Sequence, residues 1–114
     1  MFSDGKILGK PTDEQNAREM LGSLSGKIHK VITGCAVVKN GICLSFSEET
    51  AVEFYPLTEN EINDYLLTGE PFDKAGAYGI QGKGGLFVKR IDGDYFNVVG
   101  LPVAKLKRFL NEMP

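Results

Sequence analysis

The segment Gly69-Glu70-Pro71-Phe72-Asp73-Lys74-Ala75-Gly76-Ala77-Tyr78-Gly79-Ile80-Gln81-Gly82 concentrates more potential chemistry than any other part of the chain. Its glycines let a backbone approach a ligand closely. Glu70 and Asp73 are a candidate pair for a divalent cation, since Mg²⁺ takes one or two carboxylates and completes its shell with phosphate oxygens. Lys74 is placed to meet a phosphate, and Gln81 offers a donor and an acceptor that suit the edge of a nucleobase. The segment is not a Walker A loop, because Lys83 is followed by Gly84 where Ser or Thr is required. On spacing alone, a ligand loop and a merely structural loop both stay open.

Four other features compete for attention. Lys10, in Ile7-Leu8-Gly9-Lys10-Pro11, sits at a bend before a helix and reads either as a phosphate contact or as a solvated lysine. His29 is the only histidine, so it reads as a satisfied structural residue or a ligand contact rather than as part of a metal set. Cys35 and Cys43 would point to opposite faces of a hairpin, which rules out a disulfide between them and leaves two buried thiols. Lys105, Lys107 and Arg108 read as a solvated helix face.

The elements that must position these groups follow from patterning. Met1 to Pro11 reads as a short extended piece. Thr12 and Gln15 form a capping-box pattern before a helix whose stripe is Ala17, Met20, Leu21 and Leu24, stopped at Ser25-Gly26. Lys27 to Lys39 reads as a strand apolar on both faces, hence a central strand covered on both sides. Asn40-Gly41 predicts a two-residue hairpin turn with Val38 opposite Cys43 and Cys35 opposite Phe46. The return strand runs from Ile42 to Phe46 and resumes at Ala51 to Tyr55 after Glu48-Glu49. Thr58 and Glu61 predict a second capped helix with Ile62, Tyr65 and Leu66 inward. Phe72 to Gly85 reads as loop with one helical turn. Leu86 to Ile91 and Tyr95 to Val99 read as a second hairpin around Asp92-Gly93. Pro102 opens a last helix with Val103, Leu106, Leu110 and Met113 on its buried face. The sum is one α/β domain over residues 1–114, a mixed twisted sheet flanked by helices.

Composition narrows the function. The 114 residues are 42% hydrophobic and 25% charged, with a net charge of −2. That balance lacks the basic field of a nucleic-acid binder. No apolar run approaches the roughly 20 residues that cross a bilayer, and Met1-Phe2-Ser3-Asp4-Gly5 carries no apolar leader, so a cytoplasmic location without membrane or nucleic-acid partners is expected.

Several of these blocks, in this order, resemble the Maf family of nucleoside triphosphate pyrophosphatases. They are Leu8-Gly9-Lys10-Pro11, Leu24-Ser25-Gly26 with His29, Val31 and Thr33-Gly34, Gly69-Glu70-Pro71, Asp73 through Gly82, and Asp94-Tyr95 with Asn97-Val98-Val99-Gly100-Leu101-Pro102. The resemblance implies an inosine-triphosphatase-like α/β fold with a cleft between lobes. It implies hydrolysis between the α and β phosphates, with Mg²⁺ or Mn²⁺ as cofactor, to a nucleoside monophosphate and pyrophosphate. It makes Lys10 a phosphate contact, adds Asp73 and Lys74 to the substrate site, and makes Gln81 the position of substrate choice. Glutamine there resembles the branch acting on dTTP and UTP, and the family implies a homodimer. The chain departs from the family by lacking an opening Ser-Pro-Arg-Arg strand, the following glutamate and an Asp-Thr pair whose aspartate is the family's general base. Its catalytic residues are therefore unassigned, the domain is expected to be partial, and this chain alone is expected to turn over little substrate. The alternative is an inactive remnant serving as a nucleotide-binding or dimerisation module.

Overall fold

The computed structural model describes residues 2, 3 and 5–112. Two short strands, β1 (Phe2–Ser3) and β2 (Lys6–Ile7), precede helix α1 (Glu14–Leu24). A long hairpin follows, β3 (Ile28–Lys39) and β4 (Ile42–Phe54), and then helix α2 (Glu59–Leu67). Three 3₁₀ turns, Glu70–Asp73, Ala75–Ala77 and Lys83–Phe87, lead into β5 (Val88–Asp92). Helices α3 (Tyr95–Val99) and α4 (Val103–Glu112) complete the chain. The sheet order is β2-β1-β3-β4-β5. Every pairing among the described residues is antiparallel, so the parallel component of the expected mixed sheet is not among them.

The hairpin forms as its turn dictates. Asn40 and Gly41 hold φ of 52° and 77°, the positive values that a type I′ turn needs. That turn sets Val38 opposite Cys43 and Cys35 opposite Phe46. The two cysteines are free, and Cys43 is exposed rather than buried as expected. The acidic pair Glu48-Glu49 does not interrupt the return strand, because both residues stay in register opposite Thr33 and Ile32. Lys30 pairs with Glu49 at 3.6 Å.

Helix α1 is capped by Asp13, whose carboxylate accepts from the Asn16 amide at 2.7 Å. Thr12, the expected cap, lies one residue too early. Helix α2 has the expected capping box between Thr58 and Glu61. Of the predicted stripes, Ala17, Leu21 and Leu24 from α1 are buried against Ile62, Tyr65 and Leu66 from α2, Met20 is only half-buried, and Val52, Phe54, Tyr78 and Phe87 complete the core.

That core lies on one side of the sheet. Along β3, His29 is buried and Val31, Thr33, Cys35 and Val37 are half-buried, while Ile28, Ile32 and Val38 on the opposite face are exposed. The expectation of a strand covered on both sides is corrected: among the described residues only one face is covered.

Two further corrections concern the C-terminal part. Tyr95 to Val99 is a helix, not a return strand. Asp94 caps it by accepting from the Phe96 amide at 2.8 Å, and Asn97 is drawn into the sheet. Helix α4 has no fully buried residue; Leu106 and Phe109 are half-buried while Val103 and Leu110 are exposed, and Met113 lies outside the described residues. Phe109 packs on Phe46 at 4.7 Å between ring centroids. Lys105, Lys107 and Arg108 are exposed as expected, and Lys105 also donates to the Ser47 carbonyl at 2.8 Å and pairs with Glu48 at 3.4 Å. No helix among the described residues is long and apolar enough to cross a membrane.

Candidate functional site

A cleft of about 620 Å³ opens between three pieces of chain. One wall is β3 at Val31, Ile32 and Thr33. A second is the glycine-rich segment, with Asp73, Lys74, Tyr78 and Gln81. The third is the end of α3, from Asn97 to Gly100.

The α3 wall is fixed by one side chain. Asn97 is fully buried, and its Nδ2 lies 3.0 Å from the carbonyls of Val31 and Glu48 and from Thr50 Oγ1. These acceptors come from β3 and β4, so one amide ties the helix to both strands. Asn97 Oδ1 is buried without a hydrogen-bond partner among the described residues.

The glycine-rich wall is built by the core behind it. Gly76 and Ala77 both hold left-handed backbone, with φ of 73° and 68°. For alanine this conformation costs about 1–2 kcal/mol. It is held by the Gly76 amide bond to the Gly9 carbonyl at 3.0 Å and by Tyr78, whose hydroxyl meets His29 Nε2 at 2.7 Å in the core. Burial pushes the His29 imidazole down to about 4, so at neutral pH it is uncharged. Burial also raises the Tyr78 phenol above its usual range. His29 therefore positions Tyr78 from behind in a structural role, but it is satisfied only at Nε2, since Nδ1 is buried without a hydrogen-bond partner among the described residues.

Glu70 departs from its expected role. Its Oε1 accepts from the Tyr65 hydroxyl at 2.7 Å and the Gly84 amide at 3.3 Å, and its Oε2 accepts from the Lys83 amide at 3.1 Å. Burial alone would raise the carboxyl. The Tyr65 hydroxyl, the two amides and the charge of Lys74 outweigh it and hold Glu70 below the usual carboxylate range. Three of the roughly four acceptor sites of this carboxylate are thus taken up by the loop. Among the described residues no group of three His, Cys, Asp or Glu forms a metal cage. The donor set thus fits a cation that brings its own phosphate ligands to Asp73, not a resident ion held by protein alone.

The other predicted residues fall as follows. Asp73, Lys74 and Gln81 line the same cleft and are exposed. The Lys74 stem lies over Gly79, where its Cε is 3.2 Å from the place a Cβ would take. Lys10 is exposed, follows the Gly9 carbonyl that binds Gly76, and is not among the residues lining the cleft. Sequence reading missed the β3 and α3 walls as cleft surfaces. The available signal was Asp94, a helix cap two residues ahead of the amide it binds, and it was outweighed by the strand-like run Tyr95-Phe96 and Val98-Val99.

Comparison with known proteins adds to this geometry. A family model described as Maf-like protein matches residues 1–113. The chain is 60% identical over 107 residues to a Bacillus pumilus protein named dTTP/UTP pyrophosphatase, covering 94% of this chain and 57% of that protein. It is 58% identical over 106 residues to a protein of the same name from Halalkalibacterium halodurans, covering 93% and 56%. It is 59% identical over 111 residues to one from Carboxydothermus hydrogenoformans, covering 96% and 60%. The chain spans under two thirds of the length of these curated relatives.

Proposed function

The chain belongs to the Maf family, and from that premise we propose that its cleft binds a pyrimidine nucleoside triphosphate, dTTP or UTP, for hydrolysis to the monophosphate and pyrophosphate. The observation that carries the proposal is the convergence of Asp73, Lys74 and Gln81 on one open cleft. The three groups divide the ligand by chemistry. The Gln81 amide donates to O4 and accepts from N3–H of a thymine or uracil ring. The Lys74 ammonium meets phosphate oxygens as a compact charge. Asp73 meets the Mg²⁺ or Mn²⁺ that neutralises the triphosphate, and the cation's chemistry there is charge neutralisation. Lys10, next to this wall through the Gly9–Gly76 bond but outside the cleft lining, is assigned as a further phosphate contact by the family resemblance alone. The proposal includes a cytoplasmic location, where such nucleotides are made and used. It assigns binding groups and no proton-transfer group.

Pyrophosphate release tests it. With Mg²⁺, release from dTTP and UTP exceeding that from ATP and GTP, even at the low turnover expected of this chain, supports the hydrolase. Binding of dTTP without release favours the second reading, a nucleotide-binding or dimerisation module. That reading has its own support in the open sheet face, where Ile28, Ile32 and Val38 are 54%, 39% and 72% exposed. On it, the chain forms a homodimer through this face, and Val38→Lys returns it to the monomer mass in sedimentation equilibrium.

A further inference from the structure

Gln81 sits in a turn closed by the Gly82 amide bond to the Gly79 carbonyl at 3.3 Å. Both ends of the turn are held by two side chains that do not belong to it. On the leading side, the Tyr65 hydroxyl accepts from the Gly79 amide at 3.1 Å. On the trailing side, Glu70 accepts from the Lys83 and Gly84 amides. The same Tyr65 hydroxyl donates to Glu70, which joins the two holds into one. Tyr65 is anchored in the core, 3% exposed and edge-on to Phe87 at 5.0 Å.

The backbone closes on this pair: at Gly84 only glycine fits, since a Cβ there would also stand 2.8 Å from the Gly79 carbonyl oxygen, while at Gly82 a Cβ would make the Glu70 carboxylate shift. A Cβ at Gly82 would stand 2.4 Å from both Glu70 carboxylate oxygens, and one at Gly84 would stand 2.7 Å from the Tyr65 hydroxyl. Gly82 and Gly84 thus make room for the Glu70 carboxylate and the Tyr65 hydroxyl. An amide that must offer a donor and an acceptor in a set direction gains little if its turn swings, because selectivity lies in the alignment of those hydrogen bonds.

We propose that Glu70, which lines the cleft beside Asp73 and Lys74, and Tyr65 behind it are positioning residues for nucleobase selectivity, a clamp that acts by fixing the direction of the Gln81 amide. The inference rests on the reading of Gln81 as the base contact. It predicts that selectivity and phosphate affinity separate when the clamp is loosened, since Lys74 and Asp73 precede the clamped turn.

The test uses the whole chain and ligands that do not turn over: dTMP, dGMP and inorganic pyrophosphate, by calorimetry. Tyr65→Phe keeps the buried ring and removes only the hydroxyl; Glu70→Gln keeps one acceptor oxygen. Each is expected to lower the preference for dTMP over dGMP about fivefold to tenfold, with pyrophosphate affinity changed less than twofold in the charge-conserving Tyr65→Phe. In both variants, exchange of the Gly79, Lys83 or Gly84 amide that loses its acceptor should accelerate at least tenfold. An unchanged preference overturns the proposal, as does an equal loss for all three ligands. A wild-type chain with no preference for dTMP overturns the reading of Gln81 itself. The exchange rates then judge the clamp alone, and unaccelerated exchange overturns it.

Discussion

His29 carries a testable charge state. Its imidazole is 1% exposed, edge-on to Phe54 and Tyr78, and bonded through Nε2 to the Tyr78 hydroxyl. A base held near 4 in the folded chain and near 6.5 in the unfolded one is protonated preferentially in the unfolded state between those values. Its contribution to stability is therefore intact above pH 6.5 and is lost as pH falls toward 4. Between pH 7 and pH 5 the loss is about 2 kcal/mol, and urea denaturation at the two values should show it. His29→Gln should flatten that slope. Gln81 is tested by charge instead. Gln81→Glu exchanges an amide donor for a second acceptor and should weaken dTMP binding by about tenfold, the worth of one well-placed hydrogen bond, while leaving pyrophosphate binding nearly unchanged by calorimetry. These residue types could be read from the chain, and Asp73, Lys74 and Gln81 do share a cleft. What could not be read was that Glu70, eleven residues before Gln81, is hydrogen-bonded into the loop through both carboxylate oxygens. Its partners are a tyrosine hydroxyl and two backbone amides that fold together only in three dimensions.

Elements whose ends carry their own chemistry were legible. The Asn40-Gly41 turn fixes the register of the hairpin, and the Thr58–Glu61 box fixes the start of α2. The segment Tyr95 to Val99 was not, because its aromatic and β-branched residues favour a strand while the fold needs a helix there. Two tertiary facts decide it. Gly93, at φ 129°, lies so close to β4 that a Cβ would stand 3.0 Å from Thr50 Oγ1. Asn97 must then reach the carbonyls of Val31 and Glu48. The account predicts that Asn97→Ala leaves those carbonyls without their donor and lowers stability by about 2–3 kcal/mol in urea denaturation. Asn97→Asp should cost at least as much, since a carboxylate has no N–H for them.

The molecule as a whole is longer than its size requires. Its radius of gyration is 15.9 Å and its extents are 53 × 26 × 25 Å, against about 13 Å for a compact domain of this length. Its accessible surface, 6916 Å², exceeds the roughly 6200 Å² of an average monomer of this mass. The excess comes from the hairpin, whose outer half carries exposed Val38, Ile42 and Leu44 beyond the α1–α2 core, and from α4, which grips it through Phe109 and Lys105. One-sided cover was not legible because β3 is apolar on both faces, and apolarity alone does not say which face has a partner. The cleft sits where the hairpin leaves the core, bounded by β3, the glycine-rich segment and α3. A titration of the ¹⁵N-labelled chain with dTMP tests that placement directly. The account predicts saturable shifts centred on the amides of Gly79, Gln81 and Gly82 and on Val99 and Gly100 across the cleft, with dGMP producing weaker ones. Shifts confined to the outer hairpin, or none at saturating dTMP, would contradict it.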